Sequence, residues 1–395
     1  MLFTIAGLPL GGAEQQLLEL VRGLNKSKFR IIVLTLSRGG ALEPEFKKVP
    51  GVRLIGLKRK GISGFCVLLK IVTILRRMKV DVVQAFITPA IFYSIFPALI
   101  CRTPVKIVTE RSGPGRKNDT PLRYRTYLLA EDFLTRFTDW SVANSEAGKR
   151  YLIERGINPL RVKVIYNGVN LHRLNAADEK VCEIRQKMGV PPAGKIVGMI
   201  ATLFPVKNHT TFLNAAARIC NLMPDVRFAL VGSGPLRSPL ESLANDLGLE
   251  SKVMFFGDQR DVGAYLKAFD IAVLTSDTEG CSNFLLEAMA LGKAVLATDV
   301  GGNREVVCHR GSGILVAPRD AQALSDAVVY LLSNPALVQS MGQMGREIAI
   351  TKFSLEKMVS EYESLYEYSL QRICKHADST LHGARVRGTQ NHRVR

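Results

Sequence analysis

Glu279 and Glu287 are the side chains in this 395-residue chain whose type and spacing best suit chemistry. Seven residues separate them, and an apolar run, Ile271-Ala272-Val273-Leu274, leads in. The run predicts a strand and the small polar residues after it predict a loop. Ser282 or Asn283 is then placed to cap a helix that carries Glu287 in its second turn. The first N–H groups of a helix have no partner within it, and with the positive end of the helix dipole they suit a phosphate. A carboxylate in the loop and another in the helix could hold sugar hydroxyls on either side of that phosphate. The competing reading, two solvated glutamates with no ligand, weakens once the neighbouring segments are considered.

Gly11-Gly12 follow a first strand, Leu2 to Ala6, and precede a segment with Leu17, Leu18, Val21 and Leu24 at helical spacing. Glycines at such a turn let the backbone come close to a phosphate or a sugar, although a plain tight turn needs them equally. Gly232-Ser233-Gly234 imitates a dinucleotide fingerprint, but Arg237 stands where its third glycine should be, which argues against a nicotinamide cofactor. No Asp-x-Asp clamp, Cys-x-x-Cys pair or zinc-type histidine spacing is present, so no metal is expected.

The elements that must position these residues alternate along the chain, which predicts parallel α/β architecture. Strands are expected at 31–35, 52–55, 80–84, 105–108 and 140–143 in the first half. In the second half they are expected at 196–200, 226–230, 253–255, 271–274 and 294–297. Residues 175–194 read as a helix and a linker. Residues 353–370 read as a late helix, and 371–395 as a basic disordered tail without period. A chain of this length, 47% hydrophobic, can bury two cores, so the domains are taken as 1–172 and 173–352.

Seven scattered cysteines suit a reducing cytosol, and Met1 running straight into a strand leaves no room for a signal peptide ahead of it. The longest apolar run, Ala85 to Cys101, holds Pro89 and Pro97 and is shorter than the roughly 20 residues that span a bilayer. The net charge of +18 is uneven. Residues 1–172 hold 28 Lys+Arg against 12 Asp+Glu, a net of +16, whereas 173–369 hold 19 against 22, a net of −3. The stretch from Leu370 holds 6 against 1. Such asymmetry implies that one half meets a polyanion or an anionic surface. Aromatic residues are not interleaved with the basic ones and no nucleic-acid-binding signature is present, so an anionic membrane leaflet is the better match and nucleic acid the lesser alternative. Lys58-Arg59-Lys60 and Arg76-Arg77-Met78-Lys79 bracket an apolar helix at 65–75, which reads either as an interfacial element or as a helix buried on the sheet.

Seven segments together resemble the retaining glycosyltransferases of family 4. They are Gly11 to Glu14, Asn144-Ser145, Tyr166 to Val169, Pro205 to His209, Val231 to Leu236, the glutamate segment, and Thr298 to Asn303, in the family's order. The resemblance implies the GT-B fold: two Rossmann-like domains with parallel sheets facing across a cleft, and a C-terminal helix crossing back to the first domain. It implies retaining transfer of a sugar, most readily from a UDP-sugar, to a hydroxyl of a glycan or lipid-linked acceptor in cell-envelope polysaccharide synthesis, without a cofactor. Glu287 would bind the nucleotide ribose. Glu279, with the backbone of Gly280, Cys281, Ser282, Asn283, Phe284 and Leu285, would hold the donor sugar. Lys207, Gly11 and Gly12 would hold the diphosphate. Relatives often carry an arginine near position 202 or 204, where this chain has Thr202 and Phe204, with Arg111 and Arg116 as possible substitutes. They also often carry a histidine near position 89, where this chain has Pro89. These departures leave a non-catalytic partner subunit of the same fold as an alternative. The expected location is the inner face of the cell membrane, peripheral and cytoplasmic, with the first domain on anionic lipid.

Overall fold

A computed structural model of the chain describes residues 1–57, 64–111 and 122–390. Among the described residues, thirteen strands form two wholly parallel sheets. The first contains β1 (Leu2–Ile5), β2 (Ile31–Thr35), β3 (Val52–Gly56), β4 (Val82–Phe86), β5 (Val105–Glu110), β6 (Trp140–Ala143) and β7 (Val162–Val164). The second contains β8 (Ile196–Ile200), β9 (Arg227–Val231), β10 (Val253–Gly257), β11 (Ile271–Leu274), β12 (Ala294–Thr298) and β13 (Gly313–Val316). All five residues of β2 and of β12 are buried, as expected where helices cover both faces of a parallel sheet. The short edge strands β7 and β13 were not singled out in the sequence: β7 has three residues with Lys163 turned to solvent, and β13 is apolar but only four residues long.

The strand orders are β3-β2-β1-β4-β5-β6-β7 and β10-β9-β8-β11-β12-β13. Each order reverses once, between β1 and β4 and between β8 and β11. In open parallel sheets ligands bind at the carboxyl ends of the strands beside such a reversal. Here those ends lead to Gly11-Gly12 in the first sheet, and to the loops of Lys207 and Glu279 in the second. Topology alone thus brings three of the expected segments to one place.

The final helix, Leu355–Gln390, leaves the second domain and packs on the first. Its Met358, Val359, Tyr362, Leu365 and Tyr366 form a stripe at helical spacing that joins the core of β1, β2 and β4. Tyr366 lies edge-on to Phe3 and Phe29, and its hydroxyl donates to Gln84 Oε1. The helix runs to Gln390, past Gln371, where the sequence reading places the start of a basic tail. A helix already anchored by packing extends without a new nucleation step, so a polar sequence with no apolar period can still remain helical.

The helix Gly64–Arg77 is buried along one face, as the second of its two readings expects. Val67, Ile71 and Leu75 are buried against the sheet, while Phe65 and Leu69 are exposed beside Lys70, Arg76 and Arg77. Lys58, Arg59, Lys60 and Arg116 lie outside the described residues. Among the described residues no helix is long and apolar enough to cross a membrane.

Candidate functional site

Lys207 ends the short turn Pro205–Lys207 that follows β8. Asn208 adopts a left-handed conformation, φ 47°, which asparagine tolerates better than most residues. Its side chain accepts from Thr211 N, capping the helix His209–Leu222, and its Nδ2 donates to Asp277 Oδ1 at 2.9 Å. Asp277 N donates to Val206 O at 2.8 Å and Thr275 Oγ1 to Lys207 O at 3.0 Å. These bonds stitch the loop after β8 to the loop after β11. Lys207 Nζ thereby reaches Glu279 Oε1 at 2.5 Å, and Ser276 Oγ donates to the same oxygen at 2.6 Å.

The Glu279 loop is itself fixed by the turn after β12. Gly302 N donates to Glu279 O at 3.1 Å. A Cβ on Gly301, φ 49°, would fall 2.0 Å from Glu279 O, and one on Gly302 would fall 2.1 Å from Gly280 O. These glycines therefore let one backbone approach another.

The helix Asn283–Ala290 starts at Ser282, whose hydroxyl accepts from Leu285 N. Glu287 lies in its second turn, and its carboxylate pairs with Arg173. Burial pushes the Glu287 carboxyl up, and the Arg173 guanidinium pulls it the other way. Arg173 sits in the turn Leu171–Leu174, 114 residues away in sequence, and no local pattern announced the pairing. Cys281 is buried and its thiol is pushed up to about 12, chiefly by desolvation, so it carries no thiolate chemistry near neutral pH.

The first domain meets this helix directly. Asn283 Nδ2 donates to Gly12 O at 3.1 Å, and Gln16 Nε2 donates to Asn283 Oδ1 at 3.1 Å and to Gly168 O at 2.9 Å. Asn167, between the two domains, donates from Nδ2 to Cys281 O and to Asn283 Oδ1, each at 2.7 Å. A second link crosses nearby. Both oxygens of Glu305 accept backbone N–H bonds at the start of the helix Glu146–Glu154, from Glu146 at 2.7 Å and Ala147 at 2.8 Å, and Tyr166 Oη donates to it at 3.0 Å. A carboxylate of one domain thus caps a helix of the other.

The result is an interdomain cleft of about 540 Å³. Gly11, Gly12, Lys207, Glu279, Cys281, Ser282, Asn283, Phe284 and Glu287 line it together, with Gly232, Thr202 and Ile87. Gly280 lies beneath its wall, where a Cβ would meet Asn144 Oδ1 at 2.4 Å. Leu285 does not reach the cleft: its side chain is in the core, and its N–H is held by the Ser282 cap. Pro89 stands at the start of the helix Ala90–Ile100 and is not part of the lining. Among the described residues no group of three or more His, Cys, Asp or Glu side chains could hold a metal ion.

The family model for group 1 glycosyl transferases matches residues 181–348, and that for glycosyltransferase family 4 matches residues 10–173. The two matches cover both domains in order, and the chain belongs to the family 4 glycosyltransferases of GT-B fold. One relative is the N-acetyl-alpha-D-glucosaminyl L-malate synthase of Bacillus anthracis, 33% identical over 49% of this chain and 52% of its own length. Another is the UDP-Gal:alpha-D-GlcNAc-diphosphoundecaprenol alpha-1,3-galactosyltransferase of Escherichia coli, 26% identical over 76% of this chain and 78% of its own. Among solved structures, Anabaena HepE in complex with UDP and glucose superposes with a TM-score of 0.81 at 23% identity, covering 93% of this chain and 98% of that one. The family models make the chain a glycosyltransferase, and the structural likeness shows the GT-B fold.

Proposed function

We propose that the cleft binds a nucleoside diphosphate sugar and transfers its sugar, with retention, to a hydroxyl of a lipid-linked or oligosaccharide acceptor. The observation that carries this reading is the meeting of Lys207, Glu279, Glu287 and the start of the Asn283–Ala290 helix with Gly12 of the opposite domain. The first N–H groups of that helix suit the diphosphate. An ammonium has three N–H donors, so the Glu279 contact leaves Lys207 two for phosphate oxygens. Glu287, partly shielded from water, would accept from the ribose hydroxyls, and Glu279 from a hydroxyl of the sugar.

In the step itself the acceptor oxygen bonds to the anomeric carbon on the face from which the diphosphate departs. The bond from that carbon to the phosphate oxygen breaks, and the acceptor's proton passes to the departing phosphate. Charge grows on the diphosphate as this bond breaks, so fixed donors opposite it stabilise the transition state more than the ground state. No protein nucleophile is required, which is consistent with proline at position 89.

UDP is the favoured nucleotide and a lipid-linked glycan the favoured acceptor, because the E. coli relative uses UDP-Gal and a diphosphoundecaprenol acceptor. The net charge of +16 on residues 1–172 supports docking of the first domain on anionic lipid at the inner face of the membrane. Three neighbouring helices of that domain add exposed apolar side chains at helical spacing, Phe65 and Leu69, Phe96 and Ile100, and Leu129 and Phe133, with Phe137 in the turn that follows the last.

A thermal-shift screen of the purified protein against nucleotide sugars, followed by transfer to a polyprenyl-diphosphate-linked sugar, tests the reading. A ligand at 100 times its Kd should add about 2.7 kcal/mol of stability. A chain that binds no nucleoside diphosphate would overturn the proposal. Binding without turnover on any acceptor would favour a non-catalytic subunit.

A further inference from the structure

Arg111, immediately after β5 in the first domain, lines the same cleft as Lys207. Its Nε is fully buried and has no hydrogen-bond partner. Its Nη1 donates to Asn167 Oδ1 at 2.6 Å, and the guanidinium lies over the Phe86 ring, 5.3 Å from the centroid. Asn167 is in turn bonded to Cys281 O and Asn283 Oδ1 at the start of the Asn283–Ala290 helix. Two hydrogen bonds therefore connect this guanidinium to the helix end whose N–H groups suit a phosphate.

The other cations of the cleft are committed. Lys207 is paired with Glu279, Arg173 with Glu287, and Arg22 with Glu19 and Glu45. Arg260 is on the exposed rim and donates to Ala41 O at 3.4 Å. Arg111 makes no ion pair among the described residues. The buried Glu14 carboxyl feels its charge but forms no ion pair with it. A part-buried guanidinium with an orphaned N–H and no carboxylate paired to it is costly unless an anion completes it.

We propose that Arg111 contacts the phosphates of the donor nucleotide from the first domain, serving as the second cation beside Lys207. This inference rests on the donor reading above and assigns one further residue to it. Position 202, on the loop before Lys207, is a threonine that lines the cleft and offers no charge there. Because Arg111 belongs to the first sheet and Lys207 to the second, a bound diphosphate would be gripped from both domains at once and would hold the cleft closed. The planar fork of arginine suits two phosphate oxygens, which a lysine could not reproduce.

The test uses the full chain and calorimetry with UDP, GDP and ADP, each beside its parent nucleoside. For the diphosphate that wild type binds, R111A should weaken affinity about 10-fold or more and leave the nucleoside unchanged. R111K should recover part of the loss. R111Q can still donate to Asn167 while lacking the charge, and it should behave as R111A does. That variant decides the matter if R111A proves unstable on thermal denaturation. Diphosphate affinity within 2-fold of wild type in R111Q would overturn the inference and leave the donor reading standing. Equal losses for diphosphate and nucleoside would also overturn it, by showing a structural role through Asn167. If wild type binds none of the three diphosphates, the donor reading falls and this inference falls with it.

Discussion

Replacing Glu279 by glutamine should tighten nucleoside diphosphate binding while slowing sugar transfer. The glutamine oxygen can still accept from Lys207 Nζ and Ser276 Oγ, now 2.5 and 2.6 Å from Glu279 Oε1, so the loop should keep its shape. What changes is the charge. A carboxylate and a phosphate held by one ammonium lie about 5 Å apart, given charge-assisted bonds of about 2.8 Å on each side. At an effective dielectric of about 20 their repulsion is about 3 kcal/mol at most. The Lys207 side chain is 22% exposed and that of Glu279 11%, so water reduces the figure to about 1–2 kcal/mol. Loss of this repulsion corresponds to roughly 5- to 30-fold tighter binding of UDP. The sugar, however, loses a charged acceptor worth about 1.5–3 kcal/mol, so turnover should fall roughly 10- to 100-fold. Calorimetry with UDP and release of UDP from UDP-sugar in the presence of acceptor measure the two effects. Lys207→Ala supplies the opposite sign: UDP affinity and turnover should fall together. If E279Q binds UDP no tighter than wild type, the phosphate does not lie beside Lys207 and the assignment of that pair is wrong.

Three other outcomes follow from the same geometry. Glu287→Ala should weaken donor binding by about 1.5–3 kcal/mol, seen as a higher Kd for both the nucleoside and its diphosphate, because the lost acceptor faces the ribose. His209 is buried beside Lys207, and desolvation lowers it to about 4; the unfolded chain therefore takes up a proton that the native state refuses. Stability should decline as pH falls from about 6.5 towards 4, by about 3 kcal/mol at most, and His209→Gln should flatten that part of the pH dependence of Tm. Changing Lys70, Arg76 and Arg77 to glutamine should reduce flotation with anionic liposomes at low salt while UDP affinity is unchanged. Attachment that survives 1 M salt in wild type but is lost in Phe133→Asp would assign the remaining grip to the apolar stripes.

The alternation of apolar runs with helical segments, and the order of short motifs, determined the two-domain parallel fold. Both are local signals: a strand buried on two faces must be apolar, and a strand-to-helix turn near a reversal of strand order needs small residues. For the same reason Gly11, Gly12, Glu279 and Ser282 could be singled out at the carboxyl end of a strand or the start of a helix, with Glu287 one turn further on, whereas Lys207 was named through the family resemblance. Whom each residue meets was decided only by the tertiary structure. The pairing of Lys207 with Glu279 spans 72 positions and that of Arg173 with Glu287 spans 114. Asn167 and Gln16 became cleft residues because the domain junction and the first helix converge on Asn283. Leu285 looked like part of the site by adjacency, but helical periodicity turns it into the core. The glycines at 301 and 302 follow the same logic, since their need for a missing Cβ comes from the Glu279 loop lying across them. Contacts between distant segments depend on how the two sheets face each other, and that arrangement leaves no trace in the spacing of any single segment.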